Sequence, residues 1–166
     1  RLFVTNTGSD SVSVIDVVTR TVAGSALAVG AGPVGIAVSP IGGTAWVASP
    51  NRVSTIDLAS LAVTTNFRST DTFCYCSFSS IGVAAGPTGT QAYLTGFQGY
   101  GNFGQLVPVD RLANVTAGIT ATDLGAHGVS LDPAGRFAYV TGITFFTPPV
   151  ADKVFVVDLA QGLVVS

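Results

Sequence analysis

The stretch RLFVTNTGSDSVSVIDVVTRTV (Arg1 to Val22), followed by GPVGIAVSPIGG (Gly32 to Gly43), decides the fold, because the same pattern then recurs along the chain. VGIAVSPIGGTAWVAS (Val34 to Ser49), IGVAAGPTGTQAYLTG (Ile81 to Gly96) and HGVSLDPAGRFAYVTG (His127 to Gly142) superpose without a gap. The step is 47 residues from Val34 to Ile81 and 46 from Ile81 to His127. A period in that range, carried by Gly, Pro and alternating apolar residues, marks the blade of a β-propeller rather than a helical repeat.

Composition agrees. The chain has 166 residues, 48% hydrophobic but only 10% charged, with nine acidic and seven basic side chains. Glu and Met are absent, so good helix formers are scarce, while Val, Thr and aromatic residues are plentiful, which reads as all-β. No apolar run approaches the ~20 residues that a membrane helix needs, so no membrane insertion is expected. A net charge of −2 leaves no basic footprint for nucleic acid. A surface of Ser, Thr, Asn and Gln is the neutral hydroxyl coat expected of an extracellular or cell-surface protein. The sequence opens without Met, a basic n-region or a cleavage site, the expectation for a mature or excised piece.

Alternation and turn residues divide a single domain, 1–166, into repeats of approximately 1–43, 44–90, 91–136 and 137–166. The innermost strand of each repeat is the Gly-led run (Gly35 to Ser39, Gly82 to Ala85, Gly128 to Leu131), closed by a turn after Pro. The second is Ala45 to Ala48, Ala92 to Thr95 and Ala138 to Thr141, matched at the start by Leu2 to Thr5. The third is Val12 to Ile15, Val53 to Ile56, Leu106 to Val109 and Val154 to Val157, each stopped by Asp. The fourth is Val22 to Val29, Ala62 to Phe67, Val115 to Ala121 and Leu163 to Ser166. About four blades are expected, three of them four-stranded and the N-terminal one lacking its innermost strand.

LFVTN, VSVID and GPVGIAVSPIG resemble the YVTN family of β-propeller repeats, whose pattern runs from a Y-V-T-N strand through V-x-V-I-D to a P-x-G-I-A-V-S-P-D-G hairpin. The likeness extends over the whole chain in four copies. It departs at Ile41 and Thr88, where that family has Asp, and at Asp132-Pro133, where the Asp is shifted. The resemblance implies a propeller found in surface-layer and secreted proteins. It is also similar to lactonases and to the heavy subunits of quinone-dependent dehydrogenases, so a fragment of a lactonase-like or quinoprotein-like enzyme is the alternative.

An innermost strand missing from the first blade leaves a strand edge that recruits partners. The ring can be completed by further repeats of a seven- or eight-bladed propeller, by a second copy, by a neighbour's strand in head-to-tail fashion, or by tight closure of four blades alone.

In a four-stranded meander, alternate connections emerge at opposite ends. Three long ones share an end: Phe67 to Ser80, Phe97 to Gln105 and Ile143 to Lys153. They carry Phe73, Tyr75, Phe78, Phe97, Tyr100, Phe103, Phe145 and Phe146, the expected binding face for copies of the chain, another surface protein or a glycan. The bland reading is that these rings pack on one another to order long loops.

Other candidate groups carry less. Asp16, Asp57, Asp110 and Asp158 recur at one repeat position that ends a strand, where a carboxylate accepts turn N–H groups. His127 is the sole histidine, with Val34 and Ile81 at equivalent positions, and reads as a loop residue rather than a metal ligand. Cys74 and Cys76 flank Tyr75, a candidate local disulfide or a bridge to another subunit. Asn114-Val115-Thr116 is a candidate N-glycosylation site. No catalytic residue, metal site or cofactor is assigned.

Overall fold

The computed structural model describes residues 1–50, 52–68, 78–98, 103–110, 119–122, 125–143 and 153–165. Apart from one short 3-10 turn at Thr7–Ser9, its regular structure is all β, in four antiparallel sheets. Sheet 1 contains β1 (Leu2–Asn6), β2 (Ser11–Asp16), β3 (Thr21–Val22) and β4 (Leu27–Ala28). Sheet 2 runs β5 (Gly35–Val38), β6 (Thr44–Ser49), β7 (Arg52–Asp57), β8 (Val63–Arg68). Sheet 3 runs β9 (Phe78–Ala85), β10 (Gln91–Gln98), β11 (Phe103–Asp110), β12 (Ile119–Thr122), and sheet 4 runs β13 (Gly125–Leu131), β14 (Phe137–Ile143), β15 (Lys153–Asp158), β16 (Leu163–Val164).

Sheet 1 has three ranks rather than four. β3 and β4 both pair with β2, Ile15 facing Val22 and Val12 facing Leu27, so they are two pieces of one outer strand. The single strand expected over Val22 to Val29 is therefore interrupted, and β1 forms a ladder on one edge only among the described residues. Sheet 3 departs in the other direction. Its first three strands each outrun the expectation, and β9 continues back to Phe78 through a register shift at Thr95/Gly96. Likewise β13 starts at Gly125, three residues before the expected Gly128.

The hairpins between first and second strands differ in one detail that the gapless alignment hides. Gly89 (φ 71°) and Gly135 (φ 66°) hold the left-handed position of their turns, but in sheet 2 that position moves one residue on to Gly43 (φ 68°), where the other repeats have Thr90 and Arg136. A glycine takes this conformation without the Cβ penalty, and only the first repeat offers two in succession.

The sheets pack face to face in chain order. On the second strand of each sheet, small or branched residues look back and an aromatic looks forward. Ala45 and Val47 of β6 join Val12, Ile56 and Phe3 between sheets 1 and 2. Trp46, on the opposite face of β6, joins Ala92, Leu94 and Val109 between sheets 2 and 3. Tyr93 packs with Leu106, Ala138, Val140 and Val157 between sheets 3 and 4, and burial raises its phenol pKa. Period-2 alternation produces this division, since successive side chains leave opposite faces.

Hydrogen bonds tie the same seams. Thr5 Oγ1 donates to Val34 O (3.3 Å) and Thr95 Oγ1 to His127 O (2.6 Å), one repeat-equivalent bond at two sheet boundaries. Gly82 sits where strands of sheets 3 and 4 come closest: a Cβ there would lie 2.5 Å from His127 O. Among the described residues, three apolar clusters join four sheets, and none joins the fourth to the first.

Candidate functional site

The strand ends sort the connections into two sets. The tight hairpin turns of sheets 2, 3 and 4 rest on one another, Gly89 against Ser39 and Gly135 against Pro87. They define one end of the row of sheets. The strand ends that lead into residues 69–77, 99–102 and 144–152 lie at the other end.

Of the expected aromatic face, Phe73, Tyr75, Tyr100, Phe145 and Phe146 lie outside the described residues, as do Cys74, Cys76 and Asn114. Phe78, Phe97 and Phe103 are placed by backbone only, and not in loops: they belong to β9, β10 and β11. Gln98 pairs in register with both Phe78 and Phe103, which sets these residues in one row across the sheet margin. Extended, alternating FSSIGVAA and FGQLVPVD let the ladder run on past the point where loop composition alone placed its end.

At the tight-turn end, carboxylates serve the backbone. Asp16 Oδ1 accepts Val18 N (2.8 Å) and Thr19 N (3.0 Å), Asp57 Oδ1 accepts Ala59 N (3.1 Å) and Ser60 N (2.8 Å), and Asp158 Oδ1 accepts Ala160 N (2.9 Å) and Gln161 N (3.0 Å). The Thr19 and Val18 N–H groups hold Asp16 below its usual carboxylate pKa. The turn after Asp110 lies outside the described residues. Asp132, the shifted turn Asp, accepts Phe137 N (2.7 Å) and Arg136 N (2.5 Å), and these bonds lower its pKa too. Its second oxygen lies 3.9 Å from Arg136 Nε.

His127 sits on a strand rather than in a loop, at the bulge of β13 between Ala126 and Val129, where its carbonyl accepts Thr95. Among the described residues, no three His, Cys, Asp or Glu side chains gather as a metal site would require. No helix among the described residues is long and apolar enough to cross a membrane.

Composition patterns missed the exposed apolar faces at the two ends of the row. On sheet 1, Leu2 (50% exposed), Val4 and Val22 cover the face turned away from sheet 2. On sheet 4, Tyr139 (43% exposed) and Val154 (58%) cover the face turned away from sheet 3. The signal was present in the continuous apolar runs of the second strands, LFV, AWVA, AYL and FAYV, which place apolar side chains on both faces.

The fold is shared with a solved enzyme. Hydrazine synthase of Kuenenia stuttgartiensis superposes with a TM-score of 0.81 at 23% identity, over 99% of this chain and 44% of that one. The likeness concerns architecture, and the chain spans less than half the length of the structure it matches. No family model matches the sequence, and no curated relative matches it.

Proposed function

We propose that the four sheets are blades of a YVTN-type β-propeller and that the chain is a non-catalytic extracellular or cell-surface module, working by binding a partner or by assembling with copies of itself. The observation that carries this reading is the open row: β1 is paired on one edge only, and no apolar cluster links the fourth sheet to the first among the described residues. An unpaired edge and uncovered apolar faces are surfaces that soluble proteins ordinarily occupy. The carboxylates of the tight-turn end are engaged with turn N–H groups, which supports a structural use for them.

The loop end is the proposed partner face, with Phe145 and Phe146 as its anchors and a surface protein, a glycan or another copy as its occupant. Phe145→Ser combined with Phe146→Ser is expected to abolish partner binding with the β signature in circular dichroism intact. Unchanged binding would refute the loop face. Titration of the unfolded, unreduced chain is expected to find no free thiol if Cys74 and Cys76 are bridged, and a glycan on Asn114 would appear as added mass on the peptide containing it.

The enzyme reading, a portion of a lactonase-like or quinoprotein-like propeller, is separated by the natural reading frame. Further repeats carrying His and Glu at the axis would favour it.

A further inference from the structure

Sheet 2 breaks a rule at its loop end that the other described strand pairs keep. Arg52 opens β7, Arg68 closes β8, and the two are partners in register. No other described strand pair sets two charged residues opposite each other. Register partners share one face of a sheet, and like charges directly opposed there repel. The hairpin does not force this opposition. From Ile56 opposite Val63 to Ser54 opposite Thr65 the register is regular, and continued unbroken it would set Arg52 opposite Phe67. Instead the register shifts between Val53 and Ser54, Asn66 is passed over, Val53 meets Phe67 and Arg52 meets Arg68. A bulge of this kind re-aims the residues beyond it and recurs beside functional sites.

Arg52 is held in place without being neutralised. It is exposed, and its stem lies along Gly30, where a Cβ would stand 3.3 Å from Arg52 Cβ and 3.4 Å from its Cδ. Gly30 is itself buried and fixed twice, its N–H donating to Ser54 Oγ (3.2 Å) and its carbonyl accepting from Ser49 Oγ (3.2 Å). Among the described residues the Arg52 guanidinium makes no ion pair and no hydrogen bond. Asp10, the acid that reaches the same connection, accepts Gly32 N (2.9 Å) instead. Asp71, the next acid after Arg68, lies outside the described residues.

We infer that Arg52 and Arg68 form a binding site for an oxyanion, a carboxylate, sulfate or phosphate group, at the loop end of sheet 2. Guanidinium groups offer planar forks of N–H donors that match the oxygens of such a group. The bound anion offsets the repulsion that the bulge creates, so binding stabilises the fold. The inference rests on the loop end being a partner face and names the chemistry that face takes. Its test uses free ions, so it stands or fails separately from the Phe145 and Phe146 variants.

The test is thermal melting of the 166-residue chain in chloride and in about 10 mM sulfate or phosphate at matched ionic strength, with calorimetric titration of sulfate alongside. The melting temperature should rise by about 2–5 °C in sulfate or phosphate. In chloride, Arg52→Gln and Arg68→Gln should each melt about 1–4 °C above the unaltered chain, because the repulsion is gone, and each should lose the anion's increment. Arg52→Lys keeps the repulsion but not the planar fork, so it should melt like the unaltered chain in chloride and bind sulfate more weakly. Glucuronate titrated against acetate separates the sources: tighter glucuronate assigns the site to a sugar-borne acid and equal affinity to a free ion, and either upholds the site. An equal rise in the unaltered chain and in Arg52→Gln would be a general salting effect and would overturn the inference. So would glutamine variants that melt below the unaltered chain in chloride, which would mean that the two arginines are already neutralised within the chain.

Discussion

Trp46 and Tyr139 occupy the same place in the repeat, two strands into a sheet and facing forward, yet one is fully buried and the other is 43% exposed. The residues around them differ little in kind. What differs is whether a sheet follows among the described residues. A propeller-like strand is apolar on both faces, so it can be satisfied only from both sides, and a sheet at the end of a row keeps one face in water. Burial at these positions is therefore a property of the neighbour more than of the side chain.

The largest test of this contrast is truncation at both positions. Trp46→Ala should cost about 3–5 kcal/mol of unfolding free energy, because transfer and cavity terms both apply in a closed seam. Tyr139→Ala should change it by less than about 1 kcal/mol when measured by urea unfolding at a dilution where the chain is monomeric. Equal losses would mean that Tyr139 is covered in solution by something within the same molecule.

The hairpin turns offer a second contrast. Gly135→Ala puts a Cβ 2.6 Å from Pro87 Cγ of the adjoining turn and holds alanine at φ 66°, while Gly43→Ala meets nothing within 4 Å at φ 68°. The first should cost about 2–4 kcal/mol and the second about 1–2 kcal/mol, the shared part being left-handed strain. Matching losses in thermal melts would show that the turns of sheets 3 and 4 do not rest on each other.

Removing a seam hydroxyl has a smaller expected effect. Thr95→Val should cost about 1 kcal/mol, as a buried donor to His127 O is lost, whereas Thr141→Val should cost less because water can serve its exposed site. Chemical denaturation of the two variants side by side measures the difference.

The smallest effect is electrostatic and belongs to the tight-turn end. Asp16 and Asp132 are held below the ordinary carboxylate pKa by backbone N–H groups, so they bind protons more weakly folded than unfolded. Their contribution is fully present above about pH 4 and is lost as pH falls through the lowered folded values. Urea midpoints should decline on acidification below that point, and Asp16→Asn with Asp132→Asn should flatten the decline. A profile unchanged in the double variant would mean that these turns carry no such linkage.

Much of this was legible in the residues. The period, the Asp stops and the Pro-containing turns located all four sheets and the absent inner strand of the first, because alternation and turn chemistry act over a few neighbours. Asp16, Asp57 and Asp158 were readable as turn residues for the same reason. Strand ends in sheet 3 were not, since Phe78, Phe97 and Phe103 join a ladder whose length depends on cross-strand partners. The two-piece outer strand of sheet 1 likewise depends on where β2 finds its partners, Val22 and Leu27, on either side of Gly24.

Sequence alone determined that this protein is built from repeated antiparallel sheets, since periodicity and glycine placement are local facts. Tertiary structure alone decided which faces are closed: sheets stack in chain order, each seam consumes one forward and one backward face, and a row of four leaves one of each kind open. That count comes from packing between sheets, which no single repeat encodes.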